Sequence, residues 1–250
     1  MSRIQASDER VKLRTLPTQV AAILARRIMD GALGDGHAPS ELDVTREFGV
    51  SRVVAREALK ILASLDMVEI AQGRRVVLRP PAEWDYLSPL LIEWLSPEDV
   101  DGLLRELHQV RMLLEPELAA GAAAAIDGRA LRRIHDELER MRRLEDDPDA
   151  YLESDLAFHM EICKAARNRL LDRIMYSSRW LLTASRKITN QRPSALALAT
   201  GHHRAIYDAL AARDPEAARD AMRAHVTANA VAWSGRPPMV SASESREGGR

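Results

Sequence analysis

A helical hydrophobic pattern that runs almost without interruption from Pro97 to about residue 233 is the strongest constraint on this chain. Apolar residues recur there at the three- and four-residue spacing of helices that bury one face. Asp214, Pro215 and Glu216 mark one helix start, since an Asp cap, a first-position Pro and an acidic first turn act together. The pattern predicts helices near 97–125, 127–146, 149–166, 168–190, 194–212 and 214–233.

The composition fits a mainly α chain with an aliphatic core. Only 4% of the residues are aromatic, against 46% hydrophobic residues in total. No apolar run approaches the roughly 18 residues of a membrane span, and the charged N-terminus lacks the apolar stretch of a signal peptide. The single cysteine, Cys163, excludes an internal disulfide framework. We therefore expect a cytoplasmic protein with no membrane partner.

The first 80 residues predict a winged helix-turn-helix. A helix over Leu16–Leu33 is followed by a short helix that Ser40 caps, by a break at Gly49 and by a second helix that Ser51 caps. Helix, glycine-containing turn and helix is the arrangement of many DNA-binding proteins. Two β-type runs, 67–71 and 76–79, then predict a hairpin that serves as the wing.

The DNA-reading residues should lie at the start of the second helix, which enters the major groove. Arg52 and Arg56 are four residues apart and project from one face, so they can reach guanine edges or phosphates. Any one of these arginines alone would be interpreted as a solvated surface charge, but the whole pattern favours DNA binding. The candidate contacts, which include a capping serine and the wing tip, are Ser40, Ser51, Arg52, Arg56, Arg74 and Arg75.

Four residues of the helical half have the types and spacing of a metal site. Asp155 and His159 lie one helical turn apart, and His203 and His225 follow on later helices. Three imidazoles and one carboxylate suit a divalent ion, with Zn favoured and Ni, Mn or Fe as alternatives. A lone buried histidine would instead be a hydrogen-bonded core residue.

Arg111, on the first helix of this half, is the candidate effector-binding residue. Its guanidinium can pair with two oxygens of a small carboxylate beside the metal. The alternative is an ion pair with Glu115 along its own helix. Cys163 lies one turn beyond His159, where a small buried apolar role is favoured over a place in the pocket.

The first half resembles the GntR family of bacterial transcription regulators. The runs Pro39-Ser40-Glu41, Phe48-Gly49-Val50-Ser51-Arg52 and Arg56-Glu57-Ala58-Leu59 carry the resemblance. The chain departs from the family pattern at three places: Val53-Val54-Ala55 replaces Thr-Pro-Val, Leu42 replaces a DNA-contacting Arg, and Arg75 replaces a wing-tip Gly. The operator sequence therefore does not carry over.

The second half resembles the FadR-like subgroup, whose ligand-binding module is the FCD domain. Arg111 to Pro116, Asp155 to His159, and His203 through His225 carry this resemblance. It implies that the Asp and the three His bind a divalent ion at the centre of the bundle. The stretch Trp84-Asp85-Tyr86-Leu87 is similar to regulators of galactonate and related sugar-acid catabolism.

These features predict a regulator of transcription and not an enzyme. We expect a repressor that binds a palindromic operator as a homodimer and responds to a sugar acid or 2-hydroxy acid. Two alternatives stay open: the divalent ion itself is the signal, or the site is a metalloenzyme with Glu161 as the nearest base. The expected domains are a flexible N-terminus 1–15, the winged helix 16–80, a linker 81–96, the all-helical domain 97–233 and a disordered tail 234–250.

Overall fold

The computed structural model describes residues 15–33, 38–71, 76–189 and 195–234. The chain divides into two compact units, with the boundary between Leu95 and Ser96. The described residues form ten α-helices and one two-stranded sheet, which confirms the predicted mainly α class. The predictions for residues 1–14, for the wing tip with Arg74 and Arg75, and for residues 235–250 fall outside the described part.

The first unit is a winged helix-turn-helix, as predicted. Its strands pair antiparallel in the register Val68↔Leu78. A short 3₁₀ helix, Pro81–Glu83, and one further helix follow the wing. The elements of the first unit are α1 Leu16–Met29, α2 Glu41–Phe48, α3 Arg52–Ser64, β1 Val68–Ile70, β2 Val76–Leu78 and α4 Pro89–Ile92.

Local chemistry sets the ends of the helix-turn-helix. Ser40 caps α2 in a capping box, in which its side chain accepts from the backbone N–H of Asp43 and the Asp43 carboxylate accepts from the Ser40 N–H. Gly49 ends α2 at φ 62°, a left-handed conformation that glycine adopts without steric cost. α1 ends four residues before the predicted Leu33, because Gly31 already has φ 66°.

The segment expected to be a linker packs into the core of the first unit. Trp84 and Trp94 are buried in the same hydrophobic cluster as the winged helix. The indole N–H of Trp84 donates to the backbone oxygen of Arg79 at 3.0 Å. The N–H of Asp85 donates to the backbone oxygen of Leu65 at 2.9 Å. These contacts make the segment a structural part of the first unit.

The second unit has the six predicted helices, with ends within a few residues of those predicted. α5 packs against α7, α8, α9 and α10, and α7 also packs against α6, so the bundle interior is enclosed on several sides. None of the described helices is both long and apolar enough to cross a membrane. The helices are α5 Pro97–Ala125, α6 Gly128–Arg143, α7 Pro148–Ala165, α8 Arg169–Thr189, α9 Ala195–Ala212 and α10 Pro215–Ser234.

Candidate metal centre and nucleic-acid interface

The structure brings the four predicted ligands together inside the second unit. Asp155 and His159 come from α7, His203 from α9 and His225 from α10. All four side chains are buried, and each offers one ligand atom such that these atoms all lie within 4.8 Å of one another. The helical spacing on α7 places the first two on one buried face, and helix packing supplies the others.

The distances between the inward-facing atoms are those of a compact donor set. Nε2 of His203 lies 3.0 Å from Oδ1 of Asp155, and 3.3 Å from Nε2 of His159. Nε2 of His159 lies 3.9 Å from the same Asp155 oxygen. Ligands of a tetrahedral zinc ion, each about 2.0–2.2 Å from the metal, lie roughly 3.3–3.5 Å apart. The side chains therefore fit a divalent ion.

The outer nitrogens of two histidines contact groups that orient the rings. Nδ1 of His159 lies 2.8 Å from Oε2 of Glu115. Nδ1 of His203 lies 3.4 Å from the hydroxyl of Tyr151. A partner on the outer nitrogen keeps the proton there and leaves the inner nitrogen's lone pair for a metal, which is how metal-binding histidines are commonly held.

His225 supplies an unsatisfied donor atom to the same cluster. Its Nε2 lies 3.4 Å from the side-chain nitrogen of Asn229. Its Nδ1 is buried and has no hydrogen-bond partner among the described residues. Because buried polar atoms are normally satisfied, an ion is a fitting partner for this nitrogen.

Two buried arginines pair with the carboxylates around the cluster. Nε and Nη2 of Arg111 donate to the two oxygens of Glu115, at 2.6 and 3.5 Å. Arg186, on α8, forms an ion pair with Oδ2 of Asp155. The structure thus shows the ion pair with Glu115 that the sequence offered as the alternative role of Arg111. This pair uses Nε and Nη2 of the guanidinium and leaves Nη1 outside it.

The electrostatics favour an ionised Asp155 together with neutral His159 and His225. Burial opposes ionisation of Asp155, but Arg186 and the hydrogen-bonded His203 outweigh it and hold the pKa of that carboxyl well below its usual range. Burial lowers the pKa of His159 to about 4, and the charge of Arg186 acts in the same direction. Burial, with His203 next in importance, also lowers the pKa of His225. Deprotonated ligands are the form that binds metal.

Sequence reasoning missed Arg186 and Tyr151. Tyr151 stands four residues before Asp155 on the same helix face, a spacing that could have indicated it. Arg186 has no local signal, because it reaches the site only through the packing of α8 on α7. Glu161, the candidate base of the enzyme alternative, accepts from Arg133 at 2.6 Å and Lys164 at 2.8 Å.

Cys163 lies on the same buried face of α7 as His159, one turn further along. It is 2% exposed, and burial raises the pKa of its thiol above the usual range. A neutral thiol is a poor metal ligand and a poor nucleophile. The structural role favoured for Cys163 from the sequence is consistent with this environment.

The first unit brings three of the predicted DNA-facing residues, Ser40, Arg52 and Arg56, to one cleft. This cleft, of about 270 Å³, is lined by Ser40, Glu41, Leu42, Arg52 and Arg56. Arg52 and Arg56 are exposed, and Nε of Arg56 donates to Glu41 at 3.0 Å. The Ser40 hydroxyl also caps α2.

The hydroxyl oxygen of Ser51 accepts from the backbone N–H of Val54 and so caps α3. Ser40 and Ser51 thus fix the first turns of α2 and α3 beside the two arginines. The contact between Arg56 and Glu41 was not predicted from the sequence.

A winged helix with exposed arginines at the start of its second helix indicates a DNA-binding protein, here joined to a helical unit with a buried polar cluster. Residues 16–78 match the model of bacterial regulatory proteins of the gntR family, and residues 106–228 match the FCD domain. The chain therefore belongs to the GntR family, in its FadR-like subgroup with an FCD domain, and is a DNA-binding transcription regulator.

Similar proteins include both repressors and activators. The chain is 34% identical to the HTH-type transcriptional regulator LutR of Bacillus subtilis, over 80% of this chain and 93% of that protein. It is 32% identical to the Glc operon transcriptional activator of Escherichia coli, over 88% of each. It is 26% identical to the galactonate operon transcriptional repressor of E. coli, over 81% of this chain and 90% of that protein.

Solved structures support the fold. The structure of Lar from Listeria monocytogenes matches with a TM-score of 0.60 at 19% identity, covering 89% of this chain and 98% of that one. The structure of Streptococcus agalactiae GntR matches with a TM-score of 0.50 at 24% identity, covering 87% of this chain and 99% of that one.

Proposed function

We propose that this regulator is a repressor whose operator affinity is lowered by a small carboxylate bound at a divalent metal ion in the FCD domain. The single observation that carries the proposal is the convergence of four buried donor atoms within 4.8 Å of one another. Within it, Nδ1 of His225 is buried without a hydrogen-bond partner among the described residues, and an unsatisfied buried polar atom is costly. Asp155, His159, His203 and His225 would hold the ion.

When bound, the ion supplies a Lewis-acid anchor for carboxylate and hydroxyl oxygens. Four protein ligands leave open positions on an ion that accepts more than four, such as Ni, Mn or Fe, and on zinc that expands its coordination. Glu115 and Tyr151 orient two of the imidazoles from outside. Zn is our proposed ion because the donor set is rich in imidazole nitrogen.

Arg111 is proposed to meet the carboxylate of the effector. Its pair with Glu115 engages Nε and Nη2, so Nη1 is the nitrogen assigned to the effector. We propose a sugar acid or 2-hydroxy acid, because a carboxylate with a neighbouring hydroxyl can chelate an ion. The similarity to a repressor named for the galactonate operon supports this class.

In the first unit, the residues proposed to contact the major groove of DNA are Ser51, Arg52 and Arg56. The residues proposed to contact the phosphate backbone of DNA are Ser40, Arg74 and Arg75. We propose a homodimer on a palindromic operator, because two-fold symmetric half-sites match two-fold symmetric proteins. The similarity to a named repressor favours repression over activation.

The test is operator binding with and without metal and carboxylate. A labelled fragment from upstream of the protein's own gene is titrated with zinc-loaded protein, and galactonate, lactate and glycolate are then added. We expect a sequence-dependent complex that dissociates only when metal and one of these acids are both present. A change in affinity with metal alone would instead favour the ion as the signal. Metal-dependent turnover of an acid would favour an enzyme.

A further inference from the structure

The buried charges of the second unit form one connected set. Apart from histidines, the charged side chains that are buried among the described residues are Arg111, Glu115, Asp155 and Arg186. They are paired, Arg111 with Glu115 and Arg186 with Asp155. Glu115 also contacts His159, and Asp155 contacts His203. Two positive charges meet two negative ones, so the set is neutral before any ion binds.

A divalent ion would disturb this balance. It adds two positive charges at a place where both carboxylates already neutralise guanidinium groups. Charges removed from water are strongly unfavourable unless opposite charges accompany them, and the charge of a bound ion dominates the electrostatics around it. The imidazoles of His159, His203 and His225 bind metal as neutral groups and cannot compensate. We assign the compensation to the ligand.

We propose that the metal-loaded site takes its effector as a dianion, which chelates through a carboxylate and a second ionised oxygen on the adjacent carbon. The inference rests on the proposed function and narrows the effector's chemical class. A diacid arrives with both charges. A 2-hydroxy acid arrives with one, and it would supply the second by losing its hydroxyl proton to the buffer.

Among the described residues, the charged groups that are buried around the site are already engaged. The two carboxylates are held in ion pairs with arginines, and the guanidinium groups are already protonated. The imidazole lone pairs that face the cluster are assigned to the ion. The titratable groups at or beside the site among the described residues are His108, Arg111 and Glu115 on α5, Tyr151, Asp155, His159 and Cys163 on α7, Arg186 on α8, His202 and His203 on α9 and His225 on α10. The ring of His202 lies at the edge of the set, 6.1 Å from the ring of His225 between centroids.

Three small acids distinguish the effect of the ligand's charge from the effect of its chelating geometry. Glycolate can lose its hydroxyl proton, methoxyacetate keeps the same chelating geometry without that proton, and oxalate carries both charges. Each is titrated calorimetrically into the zinc-loaded full chain, in two buffers of different ionisation enthalpy at one pH. We expect glycolate to release about one proton per site, oxalate to release none, and methoxyacetate to bind at least about tenfold more weakly than glycolate.

Two results would overturn the inference. One is glycolate binding without proton release and with the affinity of methoxyacetate. The other is the absence of binding by all three probes. Sequence-specific operator binding is measured on the same samples. Its absence contradicts the proposed function alone, whereas an intact operator complex without proton release contradicts the dianion alone.

The charge balance can also be changed by mutation. Arg186→Gln removes one buried positive charge, so we expect fewer protons released by glycolate and a smaller gap between glycolate and methoxyacetate. Arg133→Gln is the matched control, because Arg133 pairs with Glu161 at a side-chain exposure of 47%. An unchanged proton count and an unchanged gap in folded Arg186→Gln protein would contradict the inference. If that variant does not fold, the three wild-type titrations decide.

Discussion

Nδ1 of His159 lies 2.8 Å from Oε2 of Glu115, with side chains that are 2% and 3% exposed. The contact joins α7, which carries two of the candidate ligands, to α5, the first helix after the boundary between the units. Glu115 in turn accepts from Arg111. One carboxylate therefore orients a candidate metal ligand and holds the residue assigned to the effector.

Replacing this carboxylate should weaken metal binding. We predict that Glu115→Gln lowers zinc affinity by about 10–100-fold, because the ring of His159 loses its orienting partner. It should also cost about 3–5 kcal/mol of folding free energy, since Arg111 is left buried without its counter-charge. Zinc affinity is measured by competition with a chromophoric chelator, and stability by urea unfolding.

The matched control for this change is Glu161→Gln. Glu161 lies on the same helix as His159 but pairs with Arg133 and Lys164 away from the cluster. The zinc affinity of the Glu161→Gln protein should stay at the wild-type value. Equal zinc affinity in Glu115→Gln and wild type would show that the carboxylate does not orient a ligand.

Removing the metal should lower thermal stability and abolish the response to effector. A ligand that binds only the folded state stabilises it by about 2.7 kcal/mol when present at about 100 times its Kd. We therefore predict a lower Tm in EDTA, which zinc restores. Operator binding itself should persist in EDTA. An identical Tm with and without chelator would argue against a metal in this bundle.

Arg52 should contribute to operator choice and not to folding. It is exposed at the first position of α3, so Arg52→Ala should leave Tm unchanged. Loss of a bidentate contact to guanine typically costs about 1–3 kcal/mol of discrimination. The measurement is the ratio of specific to non-specific Kd at fixed salt concentration.

Lys60→Ala is the control on the same helix, because Lys60 is exposed and pairs with Glu57. It should leave the ratio of the two Kd values near that of wild type. An unchanged ratio in Arg52→Ala, with both Kd values raised alike, would mean that Arg52 contributes charge alone.

Trp94 should be essential for the stability of the first unit. It is 3% exposed within the core of the winged helix, so Trp94→Ala should cost about 3–5 kcal/mol of unfolding free energy. Leu87→Ala, at a position that is 47% exposed, should cost much less. Urea unfolding measures both, and similar values would contradict the packing of residues 81–95 described here.

Local rules predicted the elements, and tertiary packing supplied what they left out. Ser40 begins α2 by capping its first turn, and Gly49 ends it in a left-handed conformation. Both effects depend only on neighbouring residues. The Asp155–His159 spacing placed two groups on one face for the same reason. Arg186 reaches Asp155 from a separate helix, so no local pattern could indicate it. The burial of Trp94 in the first unit likewise depends on contacts distant in sequence.

If a carboxylate bound at the metal cluster loosens the operator complex, His225→Gln should abolish that effect, because the variant lacks one of the four candidate ligands. Anisotropy of a labelled operator is followed for zinc-treated wild type and variant, while galactonate, lactate and glycolate are added. We predict similar operator affinity for both proteins without acid. At least one acid should raise the wild-type Kd by about tenfold or more, a change of about 1.4 kcal/mol, and leave the variant unchanged. An equal response in both proteins would show that the acid acts without the metal cluster.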